Sequence, residues 1–147
     1  MSVFPHDVVV VPIDFSDASD NALKVALEIV GGEVSKLKLV HVMTPLDAIS
    51  PSSVWGEFSE KNRQDAVRQV AKTFLESHGV GDASFDIRYG ALGLEIADYA
   101  RNQDADLIVI SSHGYHGVKR ILLGSVAETI LRHAHCAVLV LRRQDSE

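Results

Sequence analysis

The segment from Ile110 to Arg142, ISSHGYHGVKRILLGSVAETILRHAHCAVLVLR, holds the residues best placed to do chemistry. Its pattern predicts a strand, a glycine-bearing loop, a helix opening at Gly124-Ser125, and a last strand. The first backbone N–H groups of a helix have no partner within it, and the helix dipole adds partial positive charge there. Glycines ahead of such a start, here Gly114, Gly117 and Gly124, let the backbone approach a phosphate closely. Turns use glycines in the same way, so this spacing alone leaves both readings open. Ser125 and Glu128 form an S-x-x-E box, in which Ser125 would cap the helix and Glu128 would reach back to its amide. A capping hydroxyl can still donate its proton to a phosphate oxygen. Asp14, directly after the first predicted strand, either caps the following turn or accepts from a ligand amine or hydroxyl.

Other chemistries lack their residues. There is no G-x-x-x-x-G-K-[ST] loop for a nucleoside triphosphate, and no G-x-G-x-x-G follows the first strand. Ser111, Ser112 and His113 are neighbours, but no nucleophile elbow with a following Asp and His accompanies them, so no catalytic residue is assigned. His113 and His116 stand three apart, and His133 is close to His135 and Cys136. A structural metal needs about four well-spaced ligands, so no metal site is expected. His133 and His135 fall at a predicted helix end, where a cation offsets the dipole.

Elements that could position these residues alternate along the whole chain. Residues 8–13 (VVVVPI), 106–111 (DLIVIS) and 137–142 (AVLVLR) are continuous apolar runs, a pattern that suits strands buried on both faces, and 37–43 (LKLVHVM) reads as a further strand. Residues 84–89 (SFDIRY) form a weaker, alternating strand suited to an edge. A helix over 17–30 places Leu23, Ala26, Leu27 and Val30 on one face and stops at Gly31-Gly32. A second, over about 58–78, carries Val67, Val70, Ala71, Phe74 and Leu75 and stops at Gly79. A third, over about 92–103, carries Leu92, Ile96 and Ala100. The last, over about 125–134, carries Ala127, Ile130, Leu131 and Ala134. This βαβαβαβαβ order predicts a mainly parallel sheet in an α/β fold, with helices on both faces. Ligands collect at the C-terminal ends of such strands, which singles out the loops 14–19, 44–57 and 112–124. The loop 44–57, TPLDAISPSSVWGE, is long for this arrangement and suits a cover over a site or a disordered segment.

Composition narrows the partners. The 147 residues fit one domain, and 46% apolar with 23% charged residues is ordinary for a globular chain. A net charge of −6 disfavours non-specific binding to nucleic acid or an anionic membrane. Lys119, Arg120, Arg132, Arg142 and Arg143 leave room for a local basic face. One cysteine, Cys136, excludes an internal disulfide. The N-terminal MSVFPHDVVVVPID lacks the features of a signal peptide, and no apolar run approaches the roughly 20 residues of a membrane span, so a cytoplasmic protein is expected.

The same residues resemble the universal stress protein family over nearly the whole chain, from VVVVPIDFSDAS to the last strand. Nucleotide-binding members carry G-x2-G-x9-G-(S/T). The matching positions here are Ser111, Gly114, Gly124 and Ser125, followed by Val126, in the typical run GVKRILLGSVAE. Pro12 and Asp14 match the N-terminal P-x-D. The resemblance implies a three-layer, Rossmann-like fold with a five-stranded sheet of order 3-2-1-4-5. It also implies binding of ATP, or of AMP or ADP, with Mg2+ held largely by the phosphates. Asp14 and the backbone of Pro12 and Val42 would then meet the adenine or ribose. Gly114, Gly124, Ser125 and Val126 would hold ribose and phosphates, with Gly117 shaping the loop. It implies a homodimer through the last strand, Ala137 to Arg142, which would also cover an otherwise exposed sheet edge. Ser111 stands where the motif has its first glycine, placing a Cβ and a hydroxyl beside the ligand. The expected function is a homodimeric stress-response regulator that binds ATP, with slow hydrolysis or none. No arginine finger or water-activating carboxylate is identifiable. The alternative is a signalling dimer that works through protein contacts without nucleotide, and Ser111 is the feature in its favour.

Overall fold

In the computed structural model the described residues are 6–44, 56–112 and 123–142. Five strands, β1 (Val9–Pro12), β2 (Leu37–Met43), β3 (Ser84–Tyr89), β4 (Leu107–Ser111) and β5 (Ala137–Leu141), alternate with four helices. The helices are α1 (Asp17–Ile29), α2 (Gly56–Ser77), α3 (Leu92–Asn102) and α4 (Ser125–His133). A short 3-10 turn over Val34–Lys36, which the sequence pattern did not suggest, leads into β2. All pairings are parallel, in the order β3-β2-β1-β4-β5. The expected α/β, Rossmann-like fold and strand order are therefore observed.

Two apolar layers sandwich the sheet. On one face Val9, Val11, Leu37 and Leu39 pack against Leu23 and Ala26 of α1 and Leu75 of α2. On the other, Val10, Val40 and Ile108 pack against Ile96 and Tyr99 of α3 and Ile130 of α4. Strands β1 and β4 feed both layers through alternate side chains, which is why they are continuous apolar runs. Strand β3 is only half-buried throughout, as its alternating pattern and edge position require.

Three residues expected in helix cores are corrected. Val70 is 50%, Leu92 45% and Leu131 45% exposed. Each flanks the stripe that is buried: Ala71 and Leu75 in α2, Ile96 and Ala100 in α3, and Ala127 and Ile130 in α4. A helix resting on one sheet layer buries a narrower arc than its full apolar pattern. Tyr99, absent from the expected core, is 1% exposed, and its hydroxyl donates to Asp86 on β3 (2.6 Å). Burial and the Asp86 carboxylate push its phenol well above the usual tyrosine range.

Helices α3 and α4 touch at a glycine. A Cβ added at Gly93 would lie 2.7 Å from Thr129 Cβ and 3.2 Å from the Val126 carbonyl. Because α4 opens on the site described below, this contact fixes how that opening is presented. Gly93→Ala is expected to destabilise the fold by about 1–3 kcal/mol, the cost of overpacking, read as a lower urea midpoint. An unchanged midpoint would mean that the two helices slide apart freely.

Candidate functional site

The strand order reverses between β1 and β4, because β1 leads outward to β2 and β4 leads the other way to β5. Register pairing of β1 with β4 stops at Val10–Ile108, so the two strands part toward their C-terminal ends. A crevice of about 460 Å³ opens there, within the size range of small-molecule sites. It is the topological switch point at which such sheets hold ligands.

Seven of the nine sequence-identified residues line this one crevice. Pro12 and Asp14 come from the end of β1, and Val42 from β2. Ser111 ends β4, while Gly124, Ser125 and Val126 open α4 on the opposite wall. Gly114 and Gly117 lie outside the described residues, as do His113, His116 and most of the loop 44–57. The Gly124 amide donates to the Ser112 carbonyl (2.8 Å), so the residues flanking 113–122 stand side by side at the crevice.

On the β1 side, Asp14 is clasped by the turn that follows it. Its Oδ1 accepts from the Ser16 amide (3.0 Å), the Ser16 hydroxyl (2.5 Å) and the Ser19 hydroxyl (2.5 Å). The Asp14 amide donates in turn to Ser19 Oγ (2.7 Å). The turn-capping reading of Asp14 is observed: one oxygen shapes the turn, while Oδ2 has no partner among the described residues. Burial pushes the carboxyl up, but the Ser16 and Ser19 hydrogen bonds outweigh it and hold it below the usual aspartate range. Ser16 itself caps α1 by accepting from the Ser19 amide (3.3 Å). Ser16 and Ser19 were not picked out from sequence. The spacing D-x-S-x-x-S, an Asx-type turn running into a helix cap, is the signal that could have found them.

A carboxyl with a lowered folded pKa contributes stability above its unfolded pKa and loses it as pH falls through the folded value. The difference in urea midpoint between wild type and Asp14→Asn is therefore expected to be level above about pH 5 and to shrink in acid. A difference that grows on acidification would contradict the clasp.

On the α4 side, the expected capping box is not formed. The N-cap is Gly124, which has no side chain to cap with, and Ser125 is the first helical residue. Glu128 is not folded back, because its carboxylate accepts from Arg132 (2.7 Å) one turn on. The register shifts because the Gly124 carbonyl already accepts from the Glu128 amide (2.9 Å), which makes Gly124 the cap position. The Ser125 hydroxyl and the first amides of α4 consequently have no partners among the described residues. Ser111, the serine at the first motif glycine, turns its hydroxyl to the Ala18 carbonyl in α1 (3.2 Å). Chemically, one wall offers a free carboxylate oxygen and the other a set of unpaired donors with helix-dipole charge. That pairing suits a ligand with a donor-bearing end and an anionic end.

Comparison with known proteins agrees with this architecture. Residues 6–142 match the model of the universal stress protein family. A universal stress protein of Methanocaldococcus jannaschii, MJ0531, is 36% identical over 145 residues, covering 95% of this chain and 84% of that protein. Among solved structures, the hypothetical protein MJ0577 superposes with a TM-score of 0.76 at 28% identity, covering 97% of this chain and all of its own. A universal stress protein in complex with cAMP shares the fold, with a TM-score of 0.64 at 24% identity over 94% of this chain and 98% of its own.

Proposed function

Because the chain belongs to the universal stress protein family, we propose that its crevice binds an adenine nucleotide, ATP or its di- or monophosphate, and that the protein is a homodimeric regulator in stress response. The observation that carries this reading is the pairing of opposite chemistries across one crevice. The free Oδ2 of Asp14 suits the hydroxyls of a ribose or the amine of a base. The uncapped start of α4, with Gly124, the Ser125 hydroxyl and the Val126 amide, suits phosphate oxygens. Pro12 and Val42 supply backbone beside the base, and Gly114 and Gly117, outside the described residues, remain candidates for phosphate contact from the sequence motif. That a protein of this fold was solved with cAMP supports the fold's capacity for an adenine nucleotide. Mg2+ would accompany ATP through the phosphates.

Ser111 was the ground for a dimer without nucleotide. Its hydroxyl is engaged by the Ala18 carbonyl, which supports the nucleotide reading instead. Asp14 and His41 both line the crevice, but Asp14 Oδ1 is held by Ser16 and Ser19 and His41 Nδ1 by the Ile13 carbonyl, so binding without rapid turnover is the fitting activity. The dimer forms through β5, an edge strand on which Ala137 and Leu139 are exposed although both are apolar. Among the described residues no helix is long and apolar enough to cross a membrane.

Equilibrium dialysis of the nucleotide-free chain against labelled ATP tests the reading. ATP is expected to be retained and displaced by AMP. Absence of retention, or displacement by inorganic triphosphate alone, would overturn it.

A further inference from the structure

The residue that follows Asp14 stands in an unusual conformation. Phe15 has φ of +65°, a left-handed backbone that a side-chain-bearing residue adopts only when its surroundings enforce it. Two rings pack against its side chain. The Phe15 ring lies 5.0 Å from the His41 ring of β2 and meets the Phe74 ring of α2 edge-on at 5.6 Å. Both neighbours are themselves fixed. His41 donates from Nδ1 to the Ile13 carbonyl (2.6 Å), one residue before Asp14. Phe74 lies 4.4 Å from the His78 ring, and His78 bonds through Nε2 to the Asp20 carboxylate of α1 and through Nδ1 to the Phe74 carbonyl (2.7 Å). Four rings thus run from the β2 end, over the turn after β1, to the seam between α1 and α2.

We propose that Phe15, gripped between His41 and Phe74, is a positioning residue for Asp14, so that α2 contributes to ligand affinity without touching the crevice. The left-handed turn at Phe15 brings the Asp14 carboxylate back over Ser16 and Ser19, where Oδ1 is taken up while Asp14 lines the crevice. Released from its neighbouring rings, Phe15 reverts to an extended or right-handed backbone, and the clasp loses its geometry. Phe15, Phe74 and His78 are all absent from the crevice walls, whereas His41 lines the crevice, so the double-mutant cycle below separates an effect through Asp14 from one through His41. Its influence on affinity rests on the nucleotide reading above. Its influence on the Asp14 turn does not.

The test has two arms, both on the full chain. In the ligand-free protein, Phe74→Leu keeps an apolar side chain but loses the ring contact. Phe15→Gly accepts the left-handed backbone without the ring. Each is expected to speed hydrogen exchange of the Asp14 amide by roughly three- to tenfold, the span an aromatic pair is worth, with the amides of Val10 and Ile108 unaffected. Unchanged Asp14 exchange, or an equal rise at all three amides, overturns the proposal whether or not nucleotide binds. In the ligand arm, Phe74→Leu weakens adenosine and ATP by the same factor and leaves inorganic triphosphate unaltered. In the Asp14→Ala background it has no further effect. Additive losses in that double-mutant cycle would show that the rings act generally on the fold and not through Asp14. If wild type binds no ATP, the nucleotide reading fails and the exchange arm still decides the positioning.

Discussion

Gly124→Val is expected to raise the ATP dissociation constant by at least about a hundredfold, equivalent to some 2.7 kcal/mol, while the chain keeps its fold. Gly124 sits at φ −64° and ψ 156°, an extended conformation open to any residue, so valine imposes no backbone strain. Valine caps a helix less well than glycine, which costs stability on the order of 1 kcal/mol. The large effect comes from the crevice. Two methyl groups at the N-cap stand over the first amides of α4, which a phosphate must approach to within hydrogen-bond distance. Titration calorimetry with circular dichroism on the same sample separates the two effects. Wild-type affinity in a folded Gly124→Val protein would mean that the phosphates lie elsewhere.

The second large effect concerns β5. Leu139 pairs in register with Val109 of β4 on one side, while the other side of β5 is the edge of the sheet. At 36% exposure it contributes little to the core of its own chain. Across a two-fold strand pairing the same residue would be buried against its symmetry mate, and a charge there would face a like charge. Leu139→Asp is therefore expected to weaken the dimer by two orders of magnitude or more, about 2.7 kcal/mol, and to leave a folded monomer. Sedimentation velocity reads this directly. A wild-type monomer, or a variant still dimeric at micromolar concentration, would contradict the proposed interface.

The fold was legible because the signals were redundant. Parallel strands such as Val9–Pro12 and Leu107–Ser111 are apolar on both faces, and Gly31, in a left-handed conformation at φ +63°, marks the end of α1 as expected. Helix faces were less legible. Val70, Leu92 and Leu131 fit the helical period, yet each lies beside the narrower stripe that its helix buries. At the site, the positions of Asp14, Ser111 and Gly124 could be assigned because they follow a strand, end a strand and precede a helix, respectively. Their hydrogen-bond partners could not. Ser125 and Glu128 spell a capping box, but Gly124 takes the cap, and nothing local in the sequence decides between registers one residue apart. Phe15 carries no signal at all for its left-handed backbone. The rings packed against it belong to His41 and Phe74, which are 26 and 59 residues away along the chain.

In the proposed function one crevice holds an adenine nucleotide between Asp14 and the start of α4. Calorimetric titration of the nucleotide-stripped protein with Mg·ATP tests it most directly. Saturable binding of one nucleotide per chain at micromolar concentration is expected, lost in both Asp14→Ala and Gly124→Val. No heat up to millimolar ATP, from a protein that remains folded, would contradict it.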